Sequence, residues 1–65
     1  MLLNAQKLEN FRIRKRLTRT EMAELLGYST PGGYTNLIRF RHVPRREKMR
    51  KIAKALGCSE RSLIV

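Results

Sequence analysis

The spacing of helix start and stop signals leaves this chain room only for short helices. Thr18-Arg19-Thr20-Glu21 has the pattern of a capping box. The Thr oxygen accepts an amide N–H three residues on, and the Glu carboxylate reaches back to the Thr amide. Gly27 follows Glu21 by six residues, where a helix closes on a left-handed residue. The pair predicts a helix from about Arg19 to Leu26, with Met22, Ala23, Leu25 and Leu26 as its apolar stripe. Asn4 can cap a first helix from about Ala5 to Arg16, with Ala5, Leu8 and Phe11 on one face. Ser29 or Thr30 can cap a third, starting at Pro31 or Gly32 and ending near Arg39. Its apolar face is Tyr34, Leu37 and Ile38. Phe40 to Val43 is read as a loop. Pro44 opens a fourth helix to Leu56, with Met49, Ile52, Ala53 and Leu56 inward and Gly57 as its stop. Ser59 caps a short last turn holding Leu63 and Ile64.

These signals predict an all-α fold, a compact bundle of four to five helices forming a single domain over residues 1–65. A chain of 65 residues buries only roughly 60% of its unfolded surface, so a deep, walled pocket for a small-molecule substrate is not expected. Lys and Arg number 15 against 5 Asp and Glu, for a formal charge of +10. Such an excess draws the chain to polyanions, nucleic acid foremost, with anionic membranes and acidic proteins as rivals. Cys58 is the only cysteine and His42 the only histidine. That excludes an intrachain disulfide and a four-ligand structural zinc site; no metal and no cofactor are expected. Cys58 reads as a small apolar filler. The chain has no Asp, so a Ser-His-Asp set is excluded, and Thr30-Pro31-Gly32-Gly33 lacks the Gly-Lys-Thr/Ser ending of a phosphate loop. We expect no enzyme. The longest charge-free run, Leu25 to Ile38, is too short to span a bilayer and contains Pro31, Gly32 and Gly33. A membrane partner is not expected, and the location is expected to be cytoplasmic.

Two short helices joined by a tight turn make a further pattern. A helix-turn-helix needs a small residue where its helices touch, a residue tolerant of positive φ at the corner, and a second helix with one buried face and one free. Ala23, Gly27, then Tyr34 and Leu37 meet these needs in order. The free face of the third helix holds Gly33, Thr35, Asn36 and Arg39, led by Thr30 and Gly32.

From Leu8 to Leu63 the chain resembles the Cro/repressor class of helix-turn-helix proteins, the XRE family, whose fold is lambda-repressor-like. Thr18 to Gly27 follows that family's second-helix pattern, and Pro44 with Arg50-Lys51-Ile52-Ala53-Lys54-Ala55-Leu56-Gly57 follows its fourth helix. Arg12 also falls where the family often has Arg. The chain departs from the pattern at Arg19, where members often carry a Gln that braces the reading helix. It departs at Arg16, where a Gly often ends the first helix, and at Phe40, often Gly. The turn at Thr30–Gly33 is one residue longer than usual.

The resemblance implies a transcriptional regulator, a repressor first, bound to double-stranded DNA. It implies a homodimer on a pseudo-palindromic operator, with the third helix in the major groove. Gly33, Thr35, Asn36 and Arg39 are then placed at or near the bases. Asn pairs with adenine, Arg with guanine, and the Thr methyl touches thymine. Gly32 and Gly33 either let backbone approach a phosphate at the helix start or serve only as a flexible turn. Thr18, Arg19, Arg41, His42, Arg45 and Arg46 are implied to grip phosphate, while Lys48, Lys51 and Lys54 read as a solvated face. Helical spacing puts Tyr34 in the core, and Tyr28 covers the corner. The apolar tail Leu63-Ile64-Val65 either lies near the dimer contact or, at Leu63, closes the core. The alternative reading is an antitoxin-like or RNA-binding basic module that acts through a protein or RNA partner.

Overall fold

The computed structural model describes residues 1–65. Four α-helices and one 3-10 turn follow in order: α1 Ala5–Arg14, α2 Arg19–Leu25, α3 Pro31–Phe40, α4 Arg46–Leu56, then the 3-10 turn Glu60–Leu63. No strand is present; a single antiparallel bridge joins Leu3 to Ile64. No helix is long and apolar enough to cross a membrane.

Local chemistry sets most of the ends. The Asn4 side chain accepts the Lys7 amide and starts α1. At α2 the capping box is complete: Thr18 Oγ1 accepts the Glu21 amide at 3.1 Å, and Glu21 Oε1 accepts the Thr18 amide at 2.9 Å. The Thr18 amide first, and then the Thr18 side chain, hold the Glu21 carboxyl below its ordinary pKa. Gly27 takes φ +81° with nothing near its absent Cβ. Backbone conformation, and not space, therefore demands glycine there. The Tyr28 amide donates to the Ala23 carbonyl and the Gly27 amide to the Glu24 carbonyl, the paired bonds of a Schellman turn. The same pair recurs at Gly57, where Cys58 donates to Ala53 and Gly57 to Lys54.

Four expectations about helix ends are corrected. Helix α1 stops at Arg14, not Arg16, because Arg16 turns left-handed at φ 57°. The turn brings Leu17 against the core and lets its carbonyl accept the Arg12 guanidinium at 2.6 Å. Helix α3 runs one residue past Arg39 and ends on Arg41, left-handed at φ 52°. Helix α4 begins at Arg46: Arg45 is an extended cap, so Pro44 stays outside the helix. Thr30 is the N-cap of α3 but makes no side-chain cap bond, and neither does Ser29, so the start of α3 rests on Pro31.

The core gathers one face from each element: Leu8, Met22, Ala23, Leu26, Tyr34, Leu37, Met49, Ile52, Leu56 and Leu63, with Leu3 from the N-terminal segment. Leu25, expected in the stripe, is exposed; it lies about 100° round the helix from its inward neighbour Leu26. Leu63 is fully buried and closes the core. Helices α2 and α3 make the most extensive contact between elements, with Ala23 almost fully buried.

Gly33 has a separate reason to be glycine. A Cβ there would lie 2.4 Å from Tyr28 Cγ and 2.8 Å from Tyr28 Cβ, atoms near the Tyr backbone that have little freedom to move. Helix propensity favours Gly33→Ala by about 1 kcal/mol, but the overpacking costs about 1–3 kcal/mol. Gly33→Ala is therefore expected to lower stability by up to about 2 kcal/mol, read as a lower urea midpoint; a raised midpoint would contradict the contact.

Candidate nucleic-acid interface

Helix α3 buries Tyr34 and Leu37 and leaves Gly32, Asn36, Arg39 and Phe40 exposed, with Gly33, Thr35 and Ile38 half-buried. Thr30 and Pro31, at its start, are exposed. Two residues of the free face predicted from sequence are thus less open than expected. Gly33 lies under the Tyr28 ring. Thr35 is half-buried, with its hydroxyl 3.5 Å from the Arg19 guanidinium.

Arg19, the second-helix residue that departs from the family pattern, crosses from α2 to the reading helix. Its guanidinium donates to Thr35 and, at 2.7 Å, to Glu9 Oε1 on α1. Glu9 also accepts from Arg12 and, at 3.4 Å, from the Tyr34 hydroxyl. One carboxylate thereby ties α1, α2 and α3 together. Burial first, and then the Glu9 charge, pushes the Tyr34 phenol well above its ordinary pKa. The hydrogen bond to Glu9 outweighs desolvation at Arg12 and fixes its charge more firmly. Sequence reasoning assigned nothing to Glu9. Its i, i+3 spacing to Arg12 was the available signal, but the links to residues 19 and 34 are not local.

The residues expected to grip phosphate, with Arg39, do not all lie together. His42 and Arg45 lie beside Tyr28 and Lys48, and the Lys48 ammonium sits 4.0 Å from the Tyr28 ring centroid. Asn36 and His42 share a groove along α3. Arg39 and Arg41 line a different cleft with Asn4 and Val65. Arg46 is exposed. Thr18 is also exposed, but its hydroxyl oxygen already serves the capping box. Among Lys and Arg, only Arg12 and Arg19 pair with a carboxylate, both with Glu9. Arg39, Arg41, Arg45 and Arg46 have no acidic partner within 4.0 Å. An anion approaching them displaces no salt bridge, although Glu47 lines the same cleft as Arg45. No group of three or more His, Cys, Asp or Glu is placed to hold a metal ion.

The two Glu9 ion pairs differ in weight. Glu9 and Arg12 are 14–15% exposed, whereas Arg19 is 46% exposed and strongly screened. Glu9→Gln is expected to destabilise by about 1–3 kcal/mol, mainly through Arg12. Urea unfolding checks this, and an unchanged midpoint would show the hub to be energetically idle.

The profile of the helix-turn-helix family matches residues 8–63, nearly the whole chain. No curated protein and no solved structure matches it. With the left-handed corner at Gly27, the buried anchors Tyr34 and Leu37 and a polar outer face on α3, the match identifies the chain as a member of the Cro/repressor-type (XRE) helix-turn-helix family of DNA-binding transcription regulators.

Proposed function

We propose that this protein is a sequence-specific regulator of transcription, a repressor first, that lays α3 in the major groove of duplex DNA. The observation that carries this reading is the outer face of α3, where exposed Asn36 and Arg39 stand among arginines with no acidic partner. Bases are read by Asn36 and Arg39, with Thr30 and Thr35 at the edges. Gly32, exposed near the helix start, lets backbone come close to the DNA. Gly33 supports the reading helix through Tyr28. Arg19, Arg41, His42, Arg45 and Arg46 grip phosphate, and so does Thr18, the N-cap of α2 next to Arg19. The protein acts as a homodimer on a two-fold site, one α3 per half-site, in the cytoplasm of a cell of bacterial type. It does so without a cofactor and without catalysis.

Selection of bound sites from random duplex DNA tests the reading, followed by titration of variants across salt. A defined motif is expected. Asn36→Ala should lose discrimination at one base pair, by about 1–3 kcal/mol, while keeping most of its binding to unrelated duplex. Arg45→Ala should weaken all sequences alike and flatten the log K against log salt slope by about one unit. Enrichment of no sequence, or tighter binding to structured RNA at equal salt, would overturn the proposal.

A further inference from the structure

Phe40, the last residue of α3, is 65% exposed. A large apolar ring left this open on a cationic reading face buries little apolar surface in folding. Phe40 follows Asn36 by four residues and so lies on the same flank of the helix. The two share a shallow groove with Tyr28, Gly33, Leu37 and His42. Its floor is apolar because Gly33 has no side chain and Tyr28 closes in on it. The Arg39 guanidinium stands 5.5 Å from the centre of the Phe40 ring.

Charge complementarity selects what can enter this groove. Off DNA, a second copy of the chain would bring its own +10 charge towards a groove that has the Arg39 guanidinium beside its Phe40 ring, and would be repelled. A polyanion would be attracted. Among the groups that base pairs show in the major groove, the 5-methyl of thymine is the apolar one, and the others are donors and acceptors.

We infer that Phe40 and the groove beside it form an apolar contact for a thymine 5-methyl group, next to the base addressed by Asn36. The inference rests on the major-groove placement of α3 proposed above. It adds a residue that selects thymine, over cytosine and the purines, by its methyl group, beside Asn36 and Arg39, which read by hydrogen bonds. Burying one methyl is worth about 0.8 kcal/mol, which at 1.4 kcal/mol per tenfold is about fourfold in affinity.

The test uses the full chain and a duplex recovered by selection. Each thymine is replaced in turn by deoxyuridine, which removes the methyl and leaves the pairing edge unchanged. Wild type is expected to lose about fourfold at one thymine of each half-site. Phe40→Ala should bind the thymine and uracil duplexes equally, and Phe40→Leu should retain much of the discrimination. Phe40 is exposed, so neither variant should unfold the chain, and a thermal melt of each checks this. If wild type keeps its sequence preference but shows no thymine-to-uracil difference, or Phe40→Ala keeps the wild-type difference, the Phe40 contact alone is overturned. A DNA-free dimer that Phe40→Ala dissociates would assign the groove to a second copy and likewise overturn the contact. If wild type shows no sequence preference at all, the major-groove reading falls and the contact falls with it.

Discussion

The structure turns on the reversal of chain direction between α2 and α3. Gly27 holds a left-handed backbone, and the amides of Gly27 and Tyr28 satisfy carbonyls at the end of α2 that would otherwise have no helical partner. Once that corner is set, Ala23 is small enough for α3 to pack against α2, and Tyr34 and Leu37 enter the core. Burying those two residues fixes the rotation of α3 about its axis, and the rotation decides which side chains face outward. A more polar core position, or a bulkier one at Ala23, would turn the reading helix as a whole.

Features set by neighbouring residues were legible in the sequence. The capping box at Thr18 and Glu21, the Asn4 cap, the stops at Gly27 and Gly57, and the inward faces of α3 and α4 depend on chemistry within one or two turns. The structure has each of them. Features set by distant parts of the chain were not legible. Pro44 has the right φ to open α4, yet the helix begins two residues later, after an extended Arg45. Leu3 carries no signal of burial in its local pattern and is buried because Ile64 returns to pair with it. The candidate site divides along the same line. Asn36 and Arg39 could be placed by helical period alone. The role of Gly33 depends on where Tyr28 lies, and Glu9 becomes a hub only when residues 19 and 34 arrive from elsewhere.

The fold tolerates an unusual density of positive charge by confining its exceptions. No charged side chain is fully buried; the buried Tyr34 hydroxyl donates to Glu9, the one carboxylate used as a structural centre, which is 14% exposed. Arg16 and Arg41 hold left-handed conformations usually given to glycine, at a cost of order 1–3 kcal/mol each. Both positions gain a cation in exchange. In a body about 25 by 22 by 20 Å, like charges repel across most of the surface, and any bound polyanion relieves that repulsion. Ligand binding and folding are therefore linked through mass action.

The left-handed residue that ends α3 has a second attachment. The Arg41 carbonyl accepts the amide of Leu3 at 3.0 Å, while Asn4 donates to Leu63 and Val65 to Leu2. The N-terminal segment thus works as a splint laid across the far end of α3 and bound to the last residues of the chain. Loosening it would let that helix fray from its last turn, where Arg39 and Phe40 stand, while leaving Asn36 a turn further in. The outermost part of the reading surface is for that reason mechanically coupled to the two ends of the chain, which share a cleft with Arg39.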